Sequence, residues 1–148
     1  MLKRVIVLFI GITSLSVSSF AQEQTNTIST KTVKTLSKTP DYAMGVSTEK
    51  HLKAAIQLFH QFETSGVTVN NFEIVVWGKV VSELKNGGEL AELISKQVKG
   101  KLKITICNVA LNFFDMTGSD IPDNVEIIPN AYIRMYELNA LGYNTFIP

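Results

Sequence analysis

The chain has one cysteine, two histidines and almost no net charge, and each shortage excludes a class of protein. One cysteine excludes an intrachain disulfide framework and a zinc site built from several thiolates. A net charge of +1 argues against nucleic-acid binding, because phosphate contacts need a basic field. With 45% apolar and 18% charged residues among 148, the chain is not generally disordered, and its length fits one domain.

Sequence motifs for catalysis are equally scarce. The chain has no glycine-rich phosphate loop, no Ser-His-Asp order and no HExxH motif. His51 and His60 are nine positions apart on a predicted helix, which places them on opposite faces and prevents them from sharing a metal ion. The sequence therefore predicts neither a metal site nor a cofactor.

The first 21 residues have the features of a secretory signal peptide. Lys3 and Arg4 precede an apolar run over residues 5–17, and the Ser-Phe-Ala of residues 19–21 puts small residues at positions −3 and −1 of a cleavage site. The alternative is a membrane anchor, but the run is shorter than the roughly 20 apolar residues that a spanning helix needs. We predict export, periplasmic or secreted, with no membrane association after cleavage.

Residues 22–40 are rich in threonine, serine and lysine, which predicts a flexible linker before a single domain over 41–148. Within that domain, short apolar runs alternate with stretches of helical periodicity. Five strands are predicted, at 42–46, 72–77, 102–107, 125–128 and 143–147. Strands separated by helices indicate a three-layer α/β sandwich with a mainly parallel five-stranded sheet. The last helix, capped by Asn130, is expected to bury Ile133, Met135, Leu138 and Leu141.

Ligands of parallel sheets bind at the carboxyl ends of the strands, which makes the residues that follow three of the predicted strands the candidates for a cleft. Cys107 ends one strand and leads into a helix, whose N-terminus can stabilise a thiolate, and Lys79 could add positive charge. The alternative is a cysteine that packs as a small hydrophobic residue. The predicted ligand-binding residues around Cys107 are Trp77, Gly78, Asn108, Pro129 and Asn130.

Three segments resemble the DsrE/DsrF-like family, which includes the DsrE and TusD sulfur-relay subunits. LKITICNVAL at 102–111 resembles a strand that ends in an Ile-Cys step and runs into an Ala-rich helix, and FEIVVWGKVV at 72–81 resembles the family's second strand. VEIIPN at 125–130, with the Gly-Tyr of 142–143, resembles its C-terminal end. The resemblance covers about 41–148 and implies that Cys107 accepts a sulfane sulfur and passes it to a partner thiol.

The sequence departs from the resemblance after the cysteine, and the function stays open. Residues 112–115, Asn-Phe-Phe-Asp, are bulky and acidic where relay subunits have small and basic residues. The chain is therefore either a persulfide carrier that uses Cys107, with a donor or acceptor protein, or a non-catalytic exported module for ligand binding or assembly. A third hypothesis is a redox-sensing thiol that links two chains. The family also implies a homo-oligomer, with Phe113, Phe114 and residues 146–148 as candidate contacts.

Overall fold

The computed structural model describes residues 27–148, so the predicted signal peptide lies outside the described residues. A single five-stranded sheet runs through this part of the chain, in the order β4-β3-β2-β1-β5, and every neighbouring pair is parallel. No helix within residues 27–148 is long and apolar enough to cross a membrane. The strands are β1 (Asp41–Val46), β2 (Asn71–Val76), β3 (Leu102–Cys107), β4 (Glu126–Ile128) and β5 (Asn144–Phe146).

Helices connect successive strands and cover both faces of the sheet. Short 3-10 helices at Lys79–Glu83 and Gly118–Asp120 add single turns to two of the connections. The α-helices are α1 (Thr30–Leu36), α2 (Glu49–Thr64), α3 (Glu89–Gln97), α4 (Asn108–Phe113) and α5 (Ala131–Ala140).

Side-chain contacts place α2 and α5 on opposite faces of the sheet. Successive side chains of a strand alternate between faces, so Phe72 and Glu73 of β2 point in opposite directions. The Phe72 ring lies 5.5 Å from the ring of Phe59 of α2, whereas Glu73 hydrogen-bonds to Arg134 of α5. The predicted α/β sandwich is therefore confirmed, with a sheet that is entirely rather than mainly parallel.

The strand order brings three loops to one edge of the sheet. Strands β1 to β4 follow one another across the sheet in chain order. Helix α5 then leads back to β5, which pairs with the other side of β1. Because all strands are parallel, their carboxyl ends share one edge, and the pairing of Val76 with Ile106 and of Cys107 with Ile128 sets the ends of β2, β3 and β4 side by side. This edge holds the candidate site.

The predicted flexible linker is wrong for residues 30–36, which form α1. The side chain of Ser29 accepts a hydrogen bond from the backbone of Thr32, and Val33 and Leu36 pack against the core. The Tyr42 hydroxyl donates to the Leu36 carbonyl at 2.7 Å. Two aliphatic side chains in a threonine-rich stretch were too sparse to reveal the helix, so the folded unit begins before residue 41.

The predicted apolar stripe of α5 is half correct. Met135 and Leu138 are buried, but Ile133 and Leu141 are 68% and 66% exposed. The helix presents Arg134 to the sheet, where its side chain hydrogen-bonds to Glu73. The apolar pattern had assigned this face of the helix to apolar residues alone.

Candidate functional site

Cys107 is the last residue of β3 and stands at the edge where the parallel strands end. Its side chain is mostly covered, with 5% of the residue exposed. The backbone N–H of Ala131, the first residue of α5, donates to Cys107 Sγ at a nitrogen–sulfur distance of 3.4 Å. The thiol is thus held between the end of a central strand and the start of the long returning helix.

A cleft of about 400 Å³ opens beside Cys107. Trp77, Gly78, Cys107 and Asn130, four of the predicted residues, line it together. The other lining residues are Lys79, Val109, Ala110, Phe113, Phe114, Ala131 and Tyr132. A volume of this size with mostly apolar walls is typical of a small-molecule site.

The indole of Trp77 forms one wall of the cleft and lies close to β1, because Gly45 has no side chain. A Cβ atom at Gly45 would stand 2.6 Å from the indole Cη2, which is closer than two carbon atoms can approach. On its other side the indole meets the ring of Tyr132, with 5.7 Å between the centroids. Trp77 is therefore a partly buried wall of the cleft rather than a core residue.

Gly78 and Asn130 shape the two backbone turns at the cleft. Gly78 has a φ of +70°, which a side chain would strain, and it turns the chain from β2 into the 3-10 helix that starts with Lys79. Asn130 caps α5, since its Oδ1 accepts from the backbone N–H groups of Tyr132 and Ile133 at 2.9 and 3.3 Å.

Two predicted ligand-binding residues do not line the cleft. Asn108 is the exposed first residue of α4, where Cys107 itself occupies the N-cap position. Pro129 lies in a neighbouring groove between β4 and α5. Sequence reasoning instead missed Tyr132, Phe113 and Phe114. The signal for the last two was a pair of phenylalanines at the end of a helix too short to bury both.

A buried ion pair under α5 is the second feature that the sequence reading missed. Glu73 is 3% exposed, and its carboxylate accepts from Arg134 twice, Nε to Oε1 at 2.9 Å and Nη2 to Oε2 at 2.8 Å. The Thr105 hydroxyl donates to the same Oε1 at 3.0 Å. These hydrogen bonds to Glu73 hold the pKa of Arg134 above its ordinary value. The pair anchors α5, and with it Ala131, against the sheet.

Metal ligands are not grouped in the part of the chain that the structure describes. No cluster of three or more His, Cys, Asp or Glu side chains there could hold a metal ion. His60 instead contacts Gln97 at 2.6 Å and Glu63 at 3.4 Å.

Comparison with known proteins identifies the fold and nothing beyond it. No protein-family model and no curated protein matches the chain. A solved structure of a protein of unknown function from Methanobacterium thermoautotrophicum is 17% identical, with a TM-score of 0.63, and the match covers 73% of this chain and 100% of that one. A conserved protein of unknown function from Bacteroides thetaiotaomicron is 14% identical, with a TM-score of 0.61, and the match covers 76% and 98%.

Proposed function

We propose that the protein is an exported, DsrE-like persulfide carrier in which Cys107 holds the transferred sulfur. The observation that carries the proposal is the position of this thiol. Cys107 is the only cysteine of the chain, it ends a central parallel strand, and it lines an open cleft while its sulfur accepts a backbone hydrogen bond. Carboxyl ends of parallel strands are where this class of fold binds its ligands.

The proposed reaction moves one sulfur atom without net oxidation. The Cys107 thiolate attacks the outer sulfur of a donor persulfide, R–S–SH. A new sulfur–sulfur bond forms at Cys107 as the donor's own sulfur–sulfur bond breaks, and the donor leaves as the thiolate R–S⁻. The proton stays on the transferred sulfur. An acceptor thiolate then attacks that outer sulfur, which releases Cys107 as a thiolate again.

The surroundings of Cys107 suit an anionic sulfur. The N–H of Ala131 points at the sulfur from the first turn of α5, where the helix dipole is positive. Lys79 lines the same cleft. A backbone donor and a positively charged residue beside the sulfur are the kinds of group that stabilise negative charge as a sulfur atom is transferred.

The second candidate function is a non-catalytic ligand-binding or assembly module. The 5% exposure of Cys107 favours it, because a cysteine this well covered can serve as a small apolar residue in the wall of the cleft. In that case the cleft binds a small molecule and the sulfur takes no part in chemistry.

Alkylation of the folded protein separates the two functions. For a carrier, we expect Cys107 to react with iodoacetamide under native conditions, because sulfur transfer needs a thiol that a reagent in the cleft can reach. Circular dichroism before and after the reaction verifies that the fold persists. A thiol that reacts only after unfolding in urea would eliminate the carrier and leave the binding module.

We extend the proposal to a homo-oligomer, which the exposed apolar residues support. Phe113 is 79% exposed, and Phe146 and Ile147 at the end of β5 are 60% and 54% exposed. Isolated apolar side chains are common on protein surfaces, but β5 is also an edge strand, and no strand within residues 27–148 pairs with its outer side. Size-exclusion chromatography with light scattering should give a mass above that of one chain, and a monomer at all concentrations would remove this part of the proposal.

A further inference from the structure

The cleft beside Cys107 combines aromatic walls with charge of one sign. The rings of Trp77 and Tyr132 form one side, and Phe113 and Phe114, 5.0 Å apart in an edge-to-face pair, form part of the other. Phe113 is 79% exposed at the mouth, so a ligand that covered it would remove apolar surface from water. These walls suit a flat or branched apolar body.

Lys79 is the one charged residue among those of residues 27–148 that line the cleft. Within residues 27–148, no aspartate or glutamate lines the cleft, and no carboxylate forms an ion pair with Lys79. A lysine whose ammonium group has no carboxylate partner can bind an anionic group of a ligand. A matching ligand therefore has an apolar body that packs against the walls and one negative group that pairs with Lys79.

We infer that the Cys107 cleft binds a small organic anion with an aromatic or branched apolar body. The inference also names the sulfur donor, and this part rests on the proposed function. The donor of matching chemistry is an organic thiosulfonate, R–SO₂–S⁻. The Cys107 thiolate attacks its terminal sulfur, the sulfur–sulfur bond breaks, and the sulfinate R–SO₂⁻ leaves with the electron pair. The product is Cys107–S–S⁻, so atoms and charge balance without a further reactant.

Trp77 is the only tryptophan of the chain, so its fluorescence reports on this cleft directly. The probe is toluenesulfonate, an unreactive anion with an apolar ring. Methylbenzyl alcohol is its neutral counterpart, and inorganic sulfate is an anion without an apolar body. We expect toluenesulfonate to change the emission of Trp77 in a saturable way, the alcohol to bind more weakly, and sulfate to have no effect at the same concentration.

Two variants test which residue binds the anionic group of the ligand and which binds its apolar body. Lys79→Gln should weaken toluenesulfonate binding about tenfold and leave the alcohol unaffected, because a charged hydrogen bond is lost. Phe113→Ala should weaken both ligands about fivefold through lost ring contact. Matched controls are Lys101→Gln, an exposed lysine outside the cleft, and Tyr136→Ala, which is 81% exposed and also outside it. Neither control should change binding.

Equal binding of toluenesulfonate to the protein and to Lys79→Gln would overturn the inference, and so would binding of sulfate as tight as that of toluenesulfonate. The same titration on Cys107→Ser should still show saturable binding of toluenesulfonate, which separates binding of the anion from sulfur chemistry. If Cys107 accepts sulfur from no donor while toluenesulfonate still binds, the proposed function fails and the binding site stands.

The donor part of the inference has its own test. Sulfur uptake from toluenethiosulfonate, followed by intact mass, should be at least about tenfold faster than uptake from inorganic thiosulfate, because only the former buries a ring against the cleft walls. If Cys107 accepts sulfur from a glutathione persulfide but takes it no faster from toluenethiosulfonate than from thiosulfate, the donor class is wrong and the carrier stands.

Discussion

Replacing Cys107 with serine is expected to abolish the uptake of sulfane sulfur while the fold remains intact. A serine hydroxyl is not ionised near neutral pH, so the nucleophile of the proposed reaction disappears. No second thiol can take its place, because Cys107 is the only cysteine. The fold should tolerate the change, since the serine oxygen can accept the N–H of Ala131 as the sulfur does.

Intact mass spectrometry after incubation with glutathione persulfide measures this uptake. The unaltered protein should gain one sulfur atom that a reductant removes, and Cys107→Ser should gain none. The matched control is Asn112→Ser, which places a serine on an exposed position of α4 outside the cleft and keeps the thiol. Sulfur uptake by Cys107→Ser at the rate of the unaltered protein would show that the sulfur is bound elsewhere.

Removing the buried cation is expected to cause a large loss of stability. Arg134→Ala leaves the carboxylate of Glu73, which is 3% exposed, with the Thr105 hydroxyl as its one remaining side-chain donor within residues 27–148. Breaking one side of a buried ion pair typically costs 3–5 kcal/mol. We expect about 3 kcal/mol, the lower end of that range, because the Arg134 side chain is 21% exposed and water can partly replace it.

Urea unfolding followed by circular dichroism measures the free energy of unfolding of these variants. Glu73→Gln combined with Arg134→Met removes both charges and keeps an acceptor for Thr105, so it should recover most of the loss. Lys96→Ala breaks an exposed pair with Glu92 and should leave the midpoint of unfolding nearly unchanged. If Arg134→Ala and Lys96→Ala had equal effects, Glu73 and Arg134 would not anchor α5 as described.

The strands were predictable because they are short apolar runs between clear helix signals. β3 occupies Leu102–Cys107, the predicted bounds, and β2 is displaced by one residue from its prediction. Parallel strands that are buried on both faces read as continuous apolar runs, and the short length of these runs and the glycines beside them distinguish them from buried helices. Because the ends of the strands were predicted, the edge of the sheet that carries the cleft was predicted as well.

The parts that were missed depend on contacts between distant residues. Glu73 lies inside an apolar strand, and its partner Arg134 is 61 positions away, so neither local periodicity nor composition could pair them. The same limit applies to α1, whose Val33 and Leu36 matter only once the core they cover exists. At the site, Asn108 follows Cys107 in the sequence, but the sequence alone could not show that the first turn of α4 leaves Asn108 exposed to solvent.

The central claim is that Cys107 takes up and releases sulfur, and one time course tests it most directly. The folded protein is incubated with glutathione persulfide, freed of excess donor and mixed with an acceptor thiol, while intact mass is recorded throughout. The carrier predicts a gain of one sulfur atom at Cys107, followed by return to the original mass as the acceptor gains that atom. A protein whose mass never changes under native conditions would contradict the claim.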